Sequence, residues 1–525
     1  MPSPCGLRAR AMGLAPVLTV ALALALALAL SGCATRFENQ PLAAGQGNAE
    51  RRAVDASDPE RPLILVAISG GGSRAAALGW TVLRELRQYR YSGPGGSSRA
   101  LTDDIAVLSS VSGGSVIAAH FALDGAQALD RFESDFLAPD NTRSLGLEAL
   151  NPVTWLKQAV TGESRSDLVE QLLDRQLFHN KTFAELNQPG KPYLILNATD
   201  MASGEVFAFT PQRFDDICSD LDAQPISSGV AASAAVPVLF TPIAFRNFSA
   251  EHCAGRPAPA WIANRLKGRF APYLNVDNFK LARYANDLRH GPNNFRQIDY
   301  LYFLDGGLAD NLAIHGLLEA LSSPYAVPIA AAPASATGSP SDSAAGQPAR
   351  AGSLIEAINN GRFKKIAVII VNARADPGST VYQSARRPGI LGMIASVTSV
   401  PIDSASSSVN AQIDGLLAQF NAAGGGNGGA IGDPKFAGLK VYSVEIDFDQ
   451  LHANDAVQRA LRDKVKAVPT LWTISKPNLD VIAQAGTLLL RQHPCFQRLL
   501  GDLAIQADFI DSGFAQMGCP QAADR

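Results

Sequence analysis

The chain has 525 residues, of which 47% are apolar and 18% charged, enough for one large folded domain or two ordinary ones. Its formal net charge is −3 and only 7% of its residues are aromatic. No basic field or basic-aromatic interleaving points to nucleic acid.

The first residues, MPSPCGLRARAMG, carry Arg8 and Arg10 and no acid. An uncharged apolar run follows and ends at Leu30, then Ser31-Gly32-Cys33. A basic start, an apolar middle and a small-residue site read as an export signal over residues 1–32. The run also approaches the length that spans a bilayer, so an uncleaved anchor is the rival reading. Leu30-Ser31-Gly32-Cys33 resembles the bacterial lipobox, which implies cleavage before Cys33 and lipidation of that cysteine. Ala34, rather than Asp, follows it, which resembles the signal for outer-membrane sorting. The expected location is therefore the cell envelope, lipid-anchored, at the outer membrane facing the periplasm.

Residues 33–60 are mostly polar and small and read as a flexible tether. A single α/β domain is expected over 61–525. It opens with the continuous apolar run Leu63–Ile68, the mark of a strand buried on both faces. Gly70-Gly71-Gly72 come next, then a helical pattern over residues 73–89. Backbone N–H groups at such a strand-to-helix turn can converge on a phosphate or a tetrahedral oxyanion. A tight turn without a ligand is the alternative. Gly70-x-Gly72-x-x-Ala75 also fits a dinucleotide fingerprint, but no acid-ended second strand lies about 20 residues on. A Walker loop would need G-K-[ST], which is absent.

A second short apolar run, Ile105–Leu108, leads into Ser109-Ser110-Val111-Ser112-Gly113-Gly114-Ser115, and a helix is expected over 115–123. Ser112 sits at the strand-to-helix junction, in the layout of a G-x-S-x-G elbow with Ser110 in place of the first glycine. Small neighbours let such a turn form, and the helix N-terminus behind it favours developing negative charge. The other reading makes Ser112 a helix N-cap.

Further strands are expected at 193–200, 205–209, 300–307, 365–373 and 439–446, with helical patterns between many of them. This alternation predicts a mostly parallel sheet covered by helices on both faces. Asp305-Gly306-Gly307 ends the 300–307 run and places a carboxylate at the edge of the sheet that carries Ser112. There it could serve as a base or simply shape an Asp turn. A free Asp, with a pKa of about 3.9, is a weak base in water, so burial would have to strengthen it. His120 and His315 fall in no compelling motif; His315 as a base is a minor alternative to a packed or surface histidine. Asp310 and Asn311 read as turn or cap residues, and Arg74 as a residue that orients the glycine loop or pairs with an acid.

Residues 331–353 and 421–432, rich in Ala, Ser, Gly and Pro, read as flexible insertions. Residues 388–402 are apolar and uncharged: a buried helix, or a lid or membrane-facing segment. Cys5 would leave with the signal, and Cys218, Cys253, Cys495 and Cys519 remain for an oxidising compartment. Local pairing, Cys218 with Cys253 and Cys495 with Cys519, is expected, with two free buried pairs as the alternative. No spacing suggests zinc.

Taken in order, these stretches resemble the patatin-like phospholipase family over roughly residues 62–320. The shared pattern is a glycine loop (Gly70-Gly71-Gly72-Ser73-Arg74), a serine elbow around Ser112, an A-S-x-A-x-P-x-x-F block within residues 231–243, and Asp305-Gly306-Gly307. The resemblance implies a three-layer α/β fold with a mostly parallel central sheet flanked by helices. It also implies a Ser112–Asp305 dyad without histidine, acting on acyl esters of phospholipids or other lipids through an acyl-enzyme. Gly70, Gly71, Gly72 and Gly113 would form the oxyanion hole, and no metal or organic cofactor is implied. The expected partners are a lipid substrate and the membrane, not nucleic acid. Two alternatives are a catalytically silent lipid-binding or scaffold lipoprotein, and an acyltransferase or thioesterase using the same dyad.

Overall fold

The computed structural model describes residues 37–43, 47–48, 54–93, 96–237, 239–253, 256–267, 279–292, 297–322, 327–330, 350–374, 439–452, 454–509 and 519. The signal segment, Cys33, residues 388–402 and the 421–432 insertion all lie outside these. Among the described residues no helix is long and apolar enough to cross a membrane.

Eight strands form one sheet: β1 (Leu63–Ile68), β2 (Ile105–Val111), β3 (Tyr193–Asp200), β4 (Val206–Ala208), β5 (Ile243–Arg246), β6 (Tyr300–Asp305), β7 (Lys365–Asn372) and β8 (Lys440–Asp447). Their order is β8-β7-β1-β2-β3-β6-β5, with β4 also on β3. The five strands from β8 to β3 are parallel, whereas β4, β5 and β6 pair antiparallel with their neighbours.

Strand β1 shows why a continuous apolar run was needed. Ile64, Val66 and Ile68 point into one core, while Leu63, Leu65 and Ala67 point into another on the opposite face. Side chains alternate across a strand, so a central strand in a three-layer fold needs both sets apolar. On the first face lie α1 (Gly72–Gln88) and α2 (Gly113–Asp124). The helices α3 (Asn141–Leu150), α4 (Pro152–Thr161), α5 (Arg165–Leu173) and α6 (Ile226–Ser233) follow. The opposite face is covered by α7 (Ile314–Ser322) and α8 (Leu354–Asn359). Lastly, α9 (Lys476–Gln492) packs beside α1.

Two expectations are corrected. Residues 33–60 are not simply a tether. Asn39 Nδ2 donates to Ser219 Oγ (3.0 Å) and to the Arg246 carbonyl (2.8 Å), and its Oδ1 accepts the Arg246 N–H (2.8 Å). Leu42 is buried, and Val54 forms a bridge to Ile329. A few anchoring residues dock a stretch whose average composition is polar. Likewise the insertion expected over 331–353 ends in a strand, Arg350–Ser353, paired antiparallel with Pro328–Ala330. The cysteines pair locally, Cys218 with Cys253 and Cys495 with Cys519.

Candidate active site

The carboxyl ends of β1 and β2, and the end of β6, build one cluster. After β1, the Ser69 N–H donates to the Val371 carbonyl (3.0 Å), which keeps the chain on the sheet for one more residue. The backbone then turns through Gly71 at φ 139° and Gly72 at φ 59°. Both values lie where a Cβ is strained. A Cβ on Gly72 would also lie 2.5 Å from the Leu471 carbonyl oxygen. Arg74 fixes this loop from below: it is buried, with Nε donating to the Ala373 carbonyl (2.8 Å) and Nη1 to the Val468 carbonyl (2.6 Å). Of its two expected roles, orienting the loop is the one its contacts serve. Burial pulls its pKa down to about 10, so it remains charged near neutral pH.

Strand β2 ends at Val111, and Ser112 adopts φ 51°, ψ −126° before α2 begins at Gly113. This backbone conformation costs of the order of 1–3 kcal/mol for a residue with a Cβ. The Ser112 side chain makes no capping hydrogen bond to α2, which removes the N-cap reading. Instead its hydroxyl donates to Asp305 Oδ2 at 2.6 Å. The tightness of the turn falls on Gly113, where a Cβ would lie 2.0 Å from the Gly72 carbonyl oxygen. Ser110 is tolerated where the pattern has glycine because it still belongs to β2, paired with Ile68 and Leu196.

The sheet register brings the serine and the carboxylate together. Val111 pairs with Asn197, so Ser112 is level with Ala198, and Ala198 pairs with Asp305. Because β6 runs antiparallel to β3, the carboxyl end of a long β6 would lie at the wrong edge. It meets only the last three residues of β3 and therefore stops beside the elbow. Asp305 is buried. Its Oδ1 accepts the Gly307 N–H (2.8 Å) and its carbonyl accepts the Thr199 hydroxyl (2.8 Å). Burial pushes its pKa up to about 6, against the opposing pull of the Ser112 and Gly307 hydrogen bonds.

Ser233, at the end of α6, ties the two halves. The Ser112 N–H donates to Ser233 Oγ (2.9 Å), and Ser233 Oγ–H donates to the Asn197 carbonyl (2.7 Å). Ser115 Oγ also lies 2.9 Å from Ser233 Oγ. The Ser233 carbonyl accepts the Gly306 N–H (3.0 Å), and two residues on, the Ala235 carbonyl accepts the Asp305 N–H (2.8 Å). Asn197 Nδ2 in turn donates to Ser109 Oγ (2.9 Å) and the Ser110 carbonyl (3.0 Å). Sequence reasoning assigned no role to Ser233 or Asn197. The serine in the A-S-x-A block was the available signal; for Asn197, inside an apolar strand, the burial of an amide was the only one.

Not every expected donor is free. The Gly70 N–H donates to the Asn311 carbonyl (2.9 Å), so Gly70 is corrected from an oxyanion donor to a loop anchor. Asn311 thereby joins the glycine loop to the turn after Asp305, a role beyond that of a cap. Among the described residues no acceptor takes the N–H of Gly71, Gly72 or Gly113. His120 is buried against Phe132, ring centroids 5.9 Å apart, and burial pulls its pKa down to about 4. His315 Nδ1 lies 3.3 Å from Asp310 Oδ2, and the His315 N–H donates to that same oxygen (2.6 Å). Neither imidazole is hydrogen-bonded to Ser112 or Asp305. The cluster thus offers a hydroxyl already aligned on a buried carboxylate, beside backbone amides at the start of two helices.

Residues 66–318 match the patatin-like phospholipase family. No curated protein sequence gives a significant match. Similar solved structures include the human GIVD cytosolic phospholipase A2, at 11% identity and TM-score 0.39, with 85% of this chain and 63% of that chain covered. This chain therefore spans less than two thirds of the human protein. VipD from Legionella pneumophila aligns at 12% identity and TM-score 0.22, over 90% of this chain and 77% of that one. ExoU from the type III secretion system of Pseudomonas aeruginosa, solved with SpcU, aligns at 14% identity and TM-score 0.21, over 92% and 98%.

Proposed function

Starting from a patatin-like phospholipase domain over residues 66–318, and hence from a lipid acyl hydrolase at family level, we propose that Ser112 is the nucleophile and Asp305 its base. The observation that carries the reading is the 2.6 Å hydrogen bond from a strained Ser112 to a buried Asp305. Ser112 Oγ attacks the acyl carbonyl as its proton passes to Asp305 Oδ2. The carbonyl oxygen becomes an oxyanion, held by amides of Gly71, Gly72 and Gly113 and favoured by the α2 N-terminus. Collapse of the intermediate breaks the ester C–O bond, and Asp305 returns the proton to the leaving alcohol. Water then attacks the acyl-serine, giving its proton to Asp305. The fatty acid leaves and Ser112 recovers its hydrogen. A base pKa raised by burial toward the working pH suits both directions of this transfer.

The substrate class is a phospholipid or other lipid acyl ester. The lipobox-like Leu30–Cys33 supports attachment through a lipidated Cys33, at the outer membrane facing the periplasm. The test is acyl-ester hydrolysis and fluorophosphonate labelling of the wild type beside Ser112→Ala. Labelling at Ser112 and loss of turnover in the variant are expected. Equal turnover by both proteins would overturn the assignment. For the anchor, Cys33→Ala should leave an unprocessed precursor; unchanged processing would contradict it.

A further inference from the structure

Helices α3 and α4 form a hairpin whose apolar side chains are turned outward. Leu147, Leu150, Val153, Trp155 and Leu156 are between 55% and 71% exposed. Five such residues within ten positions make a contiguous apolar surface, unlike scattered single exposures. The Trp155 indole is held in place, its Nε1–H donating to the Ala149 carbonyl at 2.7 Å. Charged side chains flank the patch. The bases Arg143, Lys157 and Arg165 are exposed; the acids Glu148 and Glu163 are half-buried, Glu163 paired with Lys157 at 2.9 Å, and Asp140, the N-cap of α3, is exposed.

The hairpin is joined to the active-site cluster at both ends. At its start, the Thr142 N–H donates to Thr473 Oγ1 (2.8 Å). Two residues before Thr473, the Leu471 carbonyl accepts the Ser73 N–H (2.8 Å) and lies against Gly72. At its exit, Ser166 of α5 donates its hydroxyl to the Thr241 carbonyl, in the segment that leads back to Ser233. These two flanking segments meet through the Phe240 and Trp472 rings, 6.1 Å apart and edge-on. They add further exposed apolar groups, Leu239 and Leu471.

We propose that the α3–α4 hairpin is an interfacial docking surface that seats on a phospholipid bilayer and sets the active-site cluster against it. This rests on the reading of the site as a lipid acyl hydrolase, because such substrates are held in a bilayer. Exposed Leu, Val and Trp side chains enter the acyl boundary, while the exposed Arg143 and Arg165 reach lipid phosphates. A tether at Cys33 keeps the chain near a membrane but does not orient it; the hairpin supplies the orientation.

The test uses the full chain in a Ser112→Ala background, so that vesicles are not consumed. Vesicles of phosphatidylcholine and phosphatidylglycerol with brominated acyl chains are added, and tryptophan emission is followed. The expected result is a blue shift and quenching that disappear in Trp155→Phe. In the otherwise native chain, the combined substitution Leu150→Ser, Val153→Ser and Leu156→Ser is expected to lower turnover of vesicle phospholipid at least tenfold. Turnover of a soluble short-chain ester should stay within twofold. Absence of vesicle-dependent quenching at Trp155, with soluble-ester turnover intact, would overturn the docking surface and leave the hydrolase reading standing. So would Trp155 that acrylamide cannot reach in the free protein, since the patch would then be covered by the chain itself. Quenching without turnover of either ester would support the bilayer contact and remove the hydrolase reading.

Discussion

Ser233 Oγ accepts the Ser112 N–H at 2.9 Å while the Ser233 carbonyl accepts the N–H of Gly306, the residue after Asp305. One residue therefore sets both the elbow and the turn beside the carboxylate. Ser233→Ala leaves the Ser112 N–H without its acceptor in a buried site, at about 1–3 kcal/mol. We expect kcat to fall about 10- to 100-fold with KM changed less than threefold. Steady-state kinetics on a soluble ester check the split; a change confined to KM would count against a positioning role.

The pH profile follows from Asp305. Only the carboxylate can take the serine proton, and burial raises its pKa to about 6. kcat/KM should therefore be flat above about pH 7 and fall below pH 6, approaching tenfold per unit. A profile unchanged down to pH 4.5 would contradict Asp305 as base.

The same burial sets a stability cost. The folded pKa, about 6, lies above the unfolded value near 3.9. The stabilisation is then complete below pH 4 and is lost as pH rises through 6. Asp305→Asn keeps an acceptor for Gly307 and carries no charge. It should melt higher than the wild type at pH 8, by the equivalent of about 1–3 kcal/mol, and converge with it near pH 4. It should be inactive at both.

Strain at Ser112 gives a comparison of two inactive variants. Ser112→Gly relieves φ 51°, ψ −126°, whereas Ser112→Ala keeps it. After the entropy cost of glycine, we expect the glycine variant to be more stable by about 1 kcal/mol in urea denaturation.

Two added methyl groups should act oppositely. Gly113→Ala places a Cβ 2.0 Å from the Gly72 carbonyl oxygen, a backbone atom that cannot swing away. It should abolish fluorophosphonate labelling and lower the melting temperature markedly. Gly146→Ala, inside α3 with nothing within 4 Å of the new Cβ, should stabilise by about 0.5–1 kcal/mol and leave soluble-ester turnover unchanged.

The sequence by itself determined the sheet core and the two helices that follow its turns. These are local consequences of composition. A strand buried on both faces must be apolar throughout, and strand-to-helix turns as tight as those at Gly72 and Gly113 admit no Cβ. Only the tertiary structure decided how those pieces meet. The antiparallel overlap of β6 with three residues of β3 puts Asp305 beside Ser112, and no local pattern encodes that register. The Asn311 carbonyl removes Gly70 from the free amides, because a donor's availability depends on what packs against it. Ser233 and Asn197 drew no notice as single polar letters in apolar blocks, since their roles lie in hydrogen bonds to residues more than thirty positions away. The polar stretch before β1 misled for the converse reason: average composition conceals the few side chains, Asn39 and Leu42 among them, that find buried partners.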